Sequence, residues 1–316
     1  MKIGVLTSGG DAPGMNAAVR AVVRAGEFYK FEVYGIKDGY RGLVEDDMVL
    51  LDHKSVSGML SRGGTFLGTT RLPEFFNVET QEIAKRNLAE RGIDALITIG
   101  GDGTYRGAMA LSKLGVKTIG LPGTIDNDIP GTDYTIGFAT AVETIVDAID
   151  KLRDTSSSHQ RVSIIEVMGR RCGDLAVNAG ICGGAEFIVT PENPVDKETM
   201  IKAIKCYKEE GRRHAIVVVT EKILDVHELA KEISTVTGFS SRATVLGYIQ
   251  RGGQPCPDDR ILASRMGTYA IELINDGIYG VCVGVRDNQM VHLPFANIVD
   301  QVRPKSSLYK LVKKVS

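Results

Sequence analysis

Short apolar runs rich in Val and Ile recur along the chain and alternate with stretches of helical spacing. The runs are Ile3 to Leu6, Ala95 to Ile99, Thr118 to Leu121, Val162 to Val167, Ala215 to Val219 and Ala243 to Leu246. Continuous runs of this kind are typical of parallel strands that helices cover on both faces. The pattern therefore predicts an α/β fold built from largely parallel sheets flanked by helices.

The length of 316 residues exceeds that of one average domain, so we expect two lobes. Apolar residues at helical spacing run from Phe138 to Leu152, and this pattern ends at Arg153, before the polar segment Thr155–Ser158. We place the boundary between the lobes just before this helix. A second pattern, Leu308 to Val315, predicts a short closing helix.

The composition argues against several classes of protein. Lys and Arg number 38 against 39 Asp and Glu, and the formal net charge of −1 gives no basic field for nucleic-acid binding. We find no signal peptide and no apolar run near the roughly 18 residues of a membrane span. The five cysteines include no C-x-x-C pair, which argues against disulfides or structural zinc. We expect a cytoplasmic protein with reduced thiols.

Two glycine-rich turns follow predicted strands. The first, Ser8–Gly14, precedes a helix that starts near Met15, and the second is Gly100–Thr104. Glycines let backbone N–H groups approach an anion at a helix start, although tight connections in α/β folds need glycine anyway. Asp102 in the second turn either coordinates Mg²⁺ or caps a helix that begins near Tyr105.

A third segment, Pro122–Asp128, combines hydroxyl and carboxylate groups. If it is extended, Thr124, Asp126 and Asp128 point to one side and Ile125 to the other. One carboxylate then accepts a proton from an attacking hydroxyl and another holds a metal ion. The alternative interpretation is an Asx-rich turn with a purely structural role.

Arginines lie at the ends of predicted strands or in glycine loops, namely Arg71, Arg161, Arg170, Arg171, Arg242 and Arg251. Solvated surface positions are the alternative to phosphate binding for each of them. At roughly 3.3 Å per residue, Arg161 and Arg170 are more than about 20 Å apart along one strand, so one site cannot easily use both. The same holds less strongly for Arg242, before the predicted strand Ala243 to Leu246, and Arg251, after it. If all four arginines bind phosphate, a symmetric oligomer in which Arg161 and Arg242 reach a neighbour's site is the simplest arrangement.

With these motifs the chain resembles the bacterial ATP-dependent 6-phosphofructokinases over essentially its whole length. The matching stretches are LTSGGDAPGMNAAVR, RGGTFLGTTR, IGGDGT, LPGTIDNDI, DTSSSHQR, EVMGRRCGD and IQRGG. The resemblance implies transfer of the γ-phosphoryl group of ATP to the 1-hydroxyl of fructose 6-phosphate. It also implies an ATP-binding lobe of residues 1–138 plus about 251–304, and a sugar-phosphate-binding lobe of residues 139–250 plus about 305–316.

The same resemblance implies roles for individual residues. Asp126 would be the general base, Thr124 and Arg170 would stabilise the transferring group, and Asp102 and Asp128 would hold Mg²⁺. The ATP side would comprise Gly10, Tyr40, Arg71, Leu72, Gly101, Asp102, Gly103 and Thr104. The sugar-phosphate side would comprise Thr124, Ile125, Asp126, Met168, Gly169, Arg170, Glu221, Tyr248 and Arg251, with Arg161 and Arg242 from the adjacent subunit of a homotetramer.

Two glycines bear on the phosphoryl donor. The pyrophosphate-dependent branch of the family usually carries Asp and Lys where this chain has Gly103 and Gly123, so ATP is the expected donor. Tyr248 stands where relatives commonly have His, and one sugar-phosphate contact thereby loses any cationic character.

The resemblance also implies an effector site for ADP or phosphoenolpyruvate, made from Arg20, Arg24, Arg153, Gly184, Glu186, Arg212, Arg213 and His214. Glu210 occupies a position that is usually basic in relatives, and Gly58 one that is usually Asp. Because a carboxylate repels a nearby phosphate, we expect weakened allosteric control. Two other functions stay open, a kinase of the same glycine-loop type acting on a dinucleotide or lipid, and a two-lobed small-molecule sensor.

Overall fold

The computed structural model describes residues 1–315 and divides into two compact units. The first unit comprises residues 1–125, 129–140 and 251–303. The second comprises residues 126–128, residues 141–250 and the C-terminal segment that begins at Pro304. Each unit has a sheet with helices, which confirms the predicted α/β class.

Within residues 1–315 the strands are β1 (Lys2–Ser8), β2 (Glu32–Ile36), β3 (Met48–Leu51), β4 (Ala95–Gly100), β5 (Thr118–Pro122), β6 (Arg161–Val167), β7 (Phe187–Val189), β8 (Ala215–Thr220), β9 (Ser240–Val245), β10 (Val281–Arg286) and β11 (Gln289–Pro294). The helices are α1 (Met15–Phe28), α2 (Tyr40–Glu45), α3 (Val78–Glu90), α4 (Asp102–Lys113), α5 (Phe138–His159), α6 (Asp174–Cys182), α7 (Lys197–Glu209), α8 (Val226–Thr237), α9 (Pro257–Asn275) and α10 (Leu308–Val315). Short 3₁₀ helices lie at Met59–Ser61, Pro73–Phe76, Gly247–Arg251 and Phe295–Asn297.

The sheet of the first unit has the strand order β11-β10-β5-β4-β1-β2-β3. Its strands are parallel except β3 and β11, which pair antiparallel at the two edges. Every residue of β4 is buried, as its continuous apolar sequence predicts for a central parallel strand. The carboxyl ends of β1, β4 and β5 therefore lie side by side at one end of this sheet.

Helices α1 and α9 pack closely against each other in the first unit. A Cβ built on Gly267 of α9 would lie 2.7 Å from the Cβ of Ala21, so the close approach depends on a glycine. Asp259 of α9, only 1% exposed, accepts hydrogen bonds from the backbone N–H groups of Gly137 and Thr140, both at 2.8 Å. It also accepts one from the Thr140 hydroxyl at 2.6 Å, and it thereby fixes the start of α5.

The sheet of the second unit is parallel throughout, in the order β7-β8-β6-β9. Alternate residues of β6 and β8, such as Val162, Ile164 and Val217, point into a core shared with Ile204 of α7 and Ile233 of α8. β9 forms one edge of this sheet.

Three predicted boundaries were wrong. α5 does not end at Arg153 but continues through the polar segment to His159, because the buried hydroxyl of Ser156 shares a 2.6 Å hydrogen bond with Ser163. β9 begins at Ser240 rather than at Ala243, since β6 already offers a pairing partner there. α4 begins at Asp102, before Tyr105.

In the part of the chain that the structure describes, every helix is too short or too polar to cross a bilayer. No disulfide joins the five cysteines of residues 1–315.

Candidate active site

The two glycine turns meet because β1 and β4 are neighbours, with Ser8 paired to Gly100. The Thr104 hydroxyl donates a hydrogen bond to the Ser8 carbonyl at 3.1 Å and ties the turns together. A Cβ built on Gly100 would lie 2.3 Å from the Thr104 Oγ1 and 2.4 Å from the Ser8 carbonyl oxygen. Only glycine therefore fits at this position.

Three other segments reach the turns within the first unit. Thr69 donates a hydrogen bond to the Gly9 carbonyl at 2.8 Å, which holds the segment RGGTFLGTTR against the first turn. A Cβ built on Gly10 would lie 3.3 Å from the guanidinium carbon of Arg251, and one on Gly101 would lie 3.7 Å from the Cβ of Thr124. A hydroxyl and a guanidinium thus lie beside the glycine backbone, which suits an anionic ligand.

Tyr40 holds the second glycine turn, Gly100–Thr104, in place. It is 5% exposed, its hydroxyl donates to the Thr104 carbonyl at 2.5 Å, and its ring stacks on Phe75 with centroids 4.1 Å apart. Burial raises the pKa of its hydroxyl far above the ordinary value, so the phenol stays protonated. Of the other predicted ATP-side residues, Arg71 is exposed and Leu72 is half-buried against the same cluster as Phe75.

Asp102 lies in the first turn of α4, with its side chain 44% exposed. Its Oδ2 accepts a hydrogen bond from Arg106 Nε at 3.1 Å, and Arg106 also pairs with Asp300. Residues 1–315 contain no cluster of three or more His, Cys, Asp or Glu side chains that would form a protein-only metal cage. The oxygen donor of Asp102 nevertheless fits Mg²⁺, which keeps several waters and commonly uses one or two carboxylates together with substrate phosphates.

The segment after β5 is a turn, so the predicted extended backbone was wrong. The turn lies at Ile125 and Asp126, and Asn127 has a left-handed φ of 52°. Burial still alternates as predicted, because Ile125 and Asn127 are buried whereas Thr124, Asp126 and Asp128 are partly exposed. Asp126, Asn127 and Asp128 belong to the second unit.

In the second unit, the ends of β6 and β8 bring together several predicted sugar-phosphate residues. The backbone N–H of Arg170 donates to Glu221 Oε1 at 3.2 Å, and that of Glu221 donates to the Val167 carbonyl at 2.8 Å. Gly169 and Arg170 have φ values of 134° and 56°, which turn the chain sharply after β6. Arg170 itself is exposed.

Gln250 is a site residue that sequence reasoning missed. It is fully buried, its Oε1 accepts the N–H of Met168 at 3.0 Å, and its Nε2 donates to the Gly247 carbonyl at 2.9 Å. The available signal was its place in IQRGG, next to Arg251. Tyr248 in the same segment is 77% exposed.

Glu166 is a second residue that the sequence did not single out. It is the last residue but one of β6, two residues before Met168, and is half-buried. Burial, followed by the negative charge of Glu221, raises the pKa of its carboxyl above the ordinary value, and His227 opposes the shift. A proton is therefore held more readily at this edge of the site than on an exposed glutamate.

Arg161 and Arg242 lie away from this group, toward the amino end of β6. Arg242 pairs with Ser163, so it shares a face of the sheet with Arg161. The structure corrects the prediction that Arg242 precedes β9, since it lies within that strand.

Of the predicted effector residues of the second unit, Arg153, Gly184 and His214 are in contact with one another through Arg153. Arg153 donates to the Gly184 carbonyl at 2.9 Å and lies 3.3 Å from His214 Nε2. One carboxylate oxygen of Glu186 accepts a hydrogen bond from the backbone N–H of Ile216 at 2.7 Å.

Two other arginines predicted at the effector site have intramolecular partners. Arg212 forms a 3.3 Å ion pair with Glu210, and its guanidinium lies 4.1 Å from the Tyr207 ring centroid. Arg213 donates to the Ser157 carbonyl at 3.2 Å.

Arg20 and Arg24 lie on α1 of the first unit and are partly exposed. Arg24 contacts the imidazole of His53, which lies 3.4 Å from the carboxylate of Glu27. His53 was not predicted from the sequence.

The sequence and the structure are similar to those of known proteins. The phosphofructokinase family model matches residues 2–274. The chain belongs to the phosphofructokinase family. It is 59% identical to the ATP-dependent 6-phosphofructokinase of Erwinia tasmaniensis, over 96% of this chain and 94% of that protein. It is 57% identical to the protein of the same description from Aliivibrio fischeri strain MJ11, over 99% of both.

Among solved structures, the chain is similar to the phosphofructokinase of Pichia pastoris in the T-state, with a TM-score of 0.89 and 39% identity. The match covers 94% of this chain but 35% of the longer yeast chain. This phosphofructokinase thus corresponds to about a third of that yeast protein.

Proposed function

We propose that the protein is an ATP-dependent 6-phosphofructokinase that transfers the γ-phosphoryl group of ATP to the 1-hydroxyl of fructose 6-phosphate. The observation that carries the proposal is its identity of 57% over 99% of an enzyme described by that activity. We further propose that it acts in the cytoplasm as a glycolytic enzyme.

The first unit supplies the nucleotide side in this proposal. The two glycine turns, Thr104 and the N-terminus of α4 offer backbone N–H groups and positive potential to the phosphates. No heavy atom lies within 4 Å of a Cβ built on Gly103, which leaves room for the nucleotide. A Cβ on Gly123 would lie 3.0 Å from both Ile99 and Met15, so the lysine of pyrophosphate-dependent relatives would need repacking here. The crowding at Gly123 favours ATP over pyrophosphate.

The second unit supplies the acceptor side. Met168, Gly169, Arg170 and Glu221 would bind the sugar, joined by Tyr248 and by Arg251 of the first unit. The hydrogen bonds that the Gln250 and Glu221 side chains accept from the N–H groups of Met168 and Arg170 support these roles, because they fix the backbone from which the side chains project.

The chemistry assigns one task to each polar group of the turn after β5. Asp126 accepts the proton of the 1-hydroxyl as that oxygen attacks, while Thr124 and Arg170 donate hydrogen bonds to the transferring phosphoryl group. Asp102 and Asp128 would hold Mg²⁺, which when bound neutralises charge on the phosphate oxygens. The partial exposure of Asp126 supports its role, since the base must reach a substrate hydroxyl.

We also propose a homotetramer in which Arg161 and Arg242 complete a neighbour's sugar-phosphate site. Arg242 lies on the edge strand β9, and three large apolar side chains that follow it are exposed, Val245 at 49%, Tyr248 at 77% and Ile249 at 59%. An edge strand followed by exposed apolar residues is suited to an interface. Size-exclusion chromatography with light scattering tests the tetramer, and a monomer at assay concentration would contradict it.

The effector site is proposed to be present but weak. The ion pair from Glu210 partly neutralises Arg212, one of the cations that a phosphate would need, and this supports reduced affinity for ADP and phosphoenolpyruvate. Strong activation by low ADP would contradict the proposal.

The decisive experiment is ADP production from Mg-ATP with fructose 6-phosphate, with Asp126→Asn as a matched variant. We expect robust turnover by the wild type and a loss of about 10²–10⁴-fold in the variant, with substrate binding retained. Turnover only with pyrophosphate would overturn the donor assignment. Turnover only with a dinucleotide or lipid acceptor would favour the other glycine-loop kinase, and ligand binding without turnover would favour a sensor.

A further inference from the structure

The turn that carries Asp126 and Asp128 contains an unusual buried residue between them. Asn127 is 2% exposed and has a φ of 52°, in the left-handed region that side chains other than glycine seldom adopt. Asn is one of the residues that tolerate this conformation best, because its short polar side chain can hydrogen-bond locally. A strained conformation of this kind persists only where surrounding contacts hold it in place.

Contacts from the start of α6 hold Asn127. Its Nδ2 donates a buried hydrogen bond to Asp174 Oδ2 at 3.0 Å, and Asp174 is itself 4% exposed in the first turn of α6. The Cys172 thiol lies 3.9 Å from the Asn127 carbonyl oxygen, as a weak donor. Both the side chain and the backbone of Asn127 are thus attached to the segment that follows Arg170.

The α6 end of this link is itself fixed. The backbone N–H of Gly173 donates to both carboxylate oxygens of Glu192 at 3.1 Å, and the Asn178 amide donates to the Asp174 carbonyl at 2.8 Å. A carboxylate in the first turn of a helix is also stabilised by the helix dipole. Asp174 is therefore a rigid acceptor for the Asn127 amide.

We propose that Asp174 is a positioning residue for phosphoryl transfer, which acts through Asn127 to set the orientation of the two flanking carboxylates. This rests on the proposed function, in which Asp126 is the base and Asp128 a metal ligand. The peptide groups of Asn127 join these two residues, so a shift of the turn misplaces both. A misplacement of about 1 Å at a reacting centre can lower the rate about 100-fold.

Reversal of the hydrogen bond tests the proposal. Asn127→Asp sets two carboxylates against each other in a buried position, and we expect kcat to fall at least 100-fold. Asp174→Asn leaves an amide oxygen that still accepts, and we expect a fall of about 3- to 10-fold. The double variant Asn127→Asp/Asp174→Asn restores a hydrogen bond of opposite polarity, and we expect it to recover at least 10-fold over Asn127→Asp alone.

Asn127→Gly removes the side chain and its hydrogen bond but permits the same backbone conformation, since glycine adopts the left-handed conformation freely. We expect a 10- to 100-fold lower kcat with KM for both substrates within about 3-fold of wild type. Asp196→Asn serves as the control, because Asp196 is also a helix-capping carboxylate of the second unit, which accepts from Thr199 N at 2.8 Å. It should lower thermal stability without lowering kcat.

The outcomes distinguish the two levels of the argument. If the wild type does not phosphorylate fructose 6-phosphate, the proposed function fails. If the wild type is active and Asn127→Gly keeps kcat, or the double variant is no better than Asn127→Asp, the positioning role of Asp174 is wrong. A loss of kcat in Asn127→Gly with an unchanged melting temperature separates positioning from a general loss of stability.

Discussion

Substitution of Gly103 by Asp should selectively weaken nucleotide binding. No heavy atom lies within 4 Å of a Cβ at this exposed position in the first turn of α4, so the variant should fold normally. A carboxylate about 5 Å from one phosphate charge interacts with roughly 3 kcal/mol at an effective dielectric constant of about 20. Solvent exposure reduces this repulsion to about 1.5–2 kcal/mol, which corresponds to about a 10- to 30-fold higher KM for Mg-ATP.

The assay is initial-rate kinetics at saturating fructose 6-phosphate over a series of Mg-ATP concentrations. Gly103→Asn is the matched control, because it has the same shape without the charge and should change KM less than about 3-fold. Added salt should narrow the difference between the two variants. An equal rise of KM in both would show that bulk rather than charge is responsible. An unchanged KM in Gly103→Asp would refute the placement of nucleotide phosphates at the start of α4.

Three further predictions concern stability and regulation. Asp259→Ala leaves buried donors at Gly137 and Thr140 without their acceptor and should lower the free energy of unfolding by about 3–5 kcal/mol in urea titrations. Asp259→Asn keeps one acceptor oxygen and should lose less, and an equal loss in both variants would contradict the claim that the acceptor contributes apart from the charge. Because the pKa of Glu166 is raised in the folded state, the free energy of unfolding of the wild type should fall as pH rises from the ordinary carboxyl range through that raised pKa. Glu166→Gln lacks this titration, so its free energy of unfolding should increase relative to wild type as pH rises. A difference between the two proteins that does not change with pH would refute this. Glu210→Lys should lower the ADP concentration for half-maximal activation about 5-fold or more, with Glu198→Lys as an unresponsive control, and no change would count against the weakened effector site.

The class of fold was predictable because six strands, including the central strands of both sheets, are short apolar runs in the local sequence, whereas β2, β3, β7, β10 and β11 were not predicted. A strand such as β4 is buried on both faces and must be apolar throughout, and no comparable pattern occurs in the loops. The ends of elements were less predictable. α5 continues beyond its apolar pattern because Ser156 hydrogen-bonds to Ser163 on β6. β9 begins before its apolar run because residues of β6 pair with Ser240 and the residues after it. The local sequence does not indicate which distant residues will be such partners.

The composition of the candidate site was more predictable than its geometry. The glycine turns were visible as motifs, but their meeting depends on β1 and β4 being neighbours, which no local pattern gives. For the segment after β5, the sequence left an extended strand and a turn open, because the conformation of Asn127 depends on Asp174, which lies beyond the next long helix in sequence. Gln250 was missed for a related reason, since a buried amide is informative only once the backbone group that it satisfies is known.

The strand order of the two sheets bears on how the chain is completed during synthesis. The sheet of the second unit is finished once β9 has emerged, but β5 pairs with β10, which the ribosome delivers roughly 160 residues after β5. At about 5–20 residues per second, the edge of β5 waits some 10–30 s for its neighbour. An apolar strand with an unpaired edge is a template for wrong association. Nascent chains that stall between β9 and β10 should therefore depend most on chaperones. In the finished protein β10 pairs with β5, so this edge is no longer exposed.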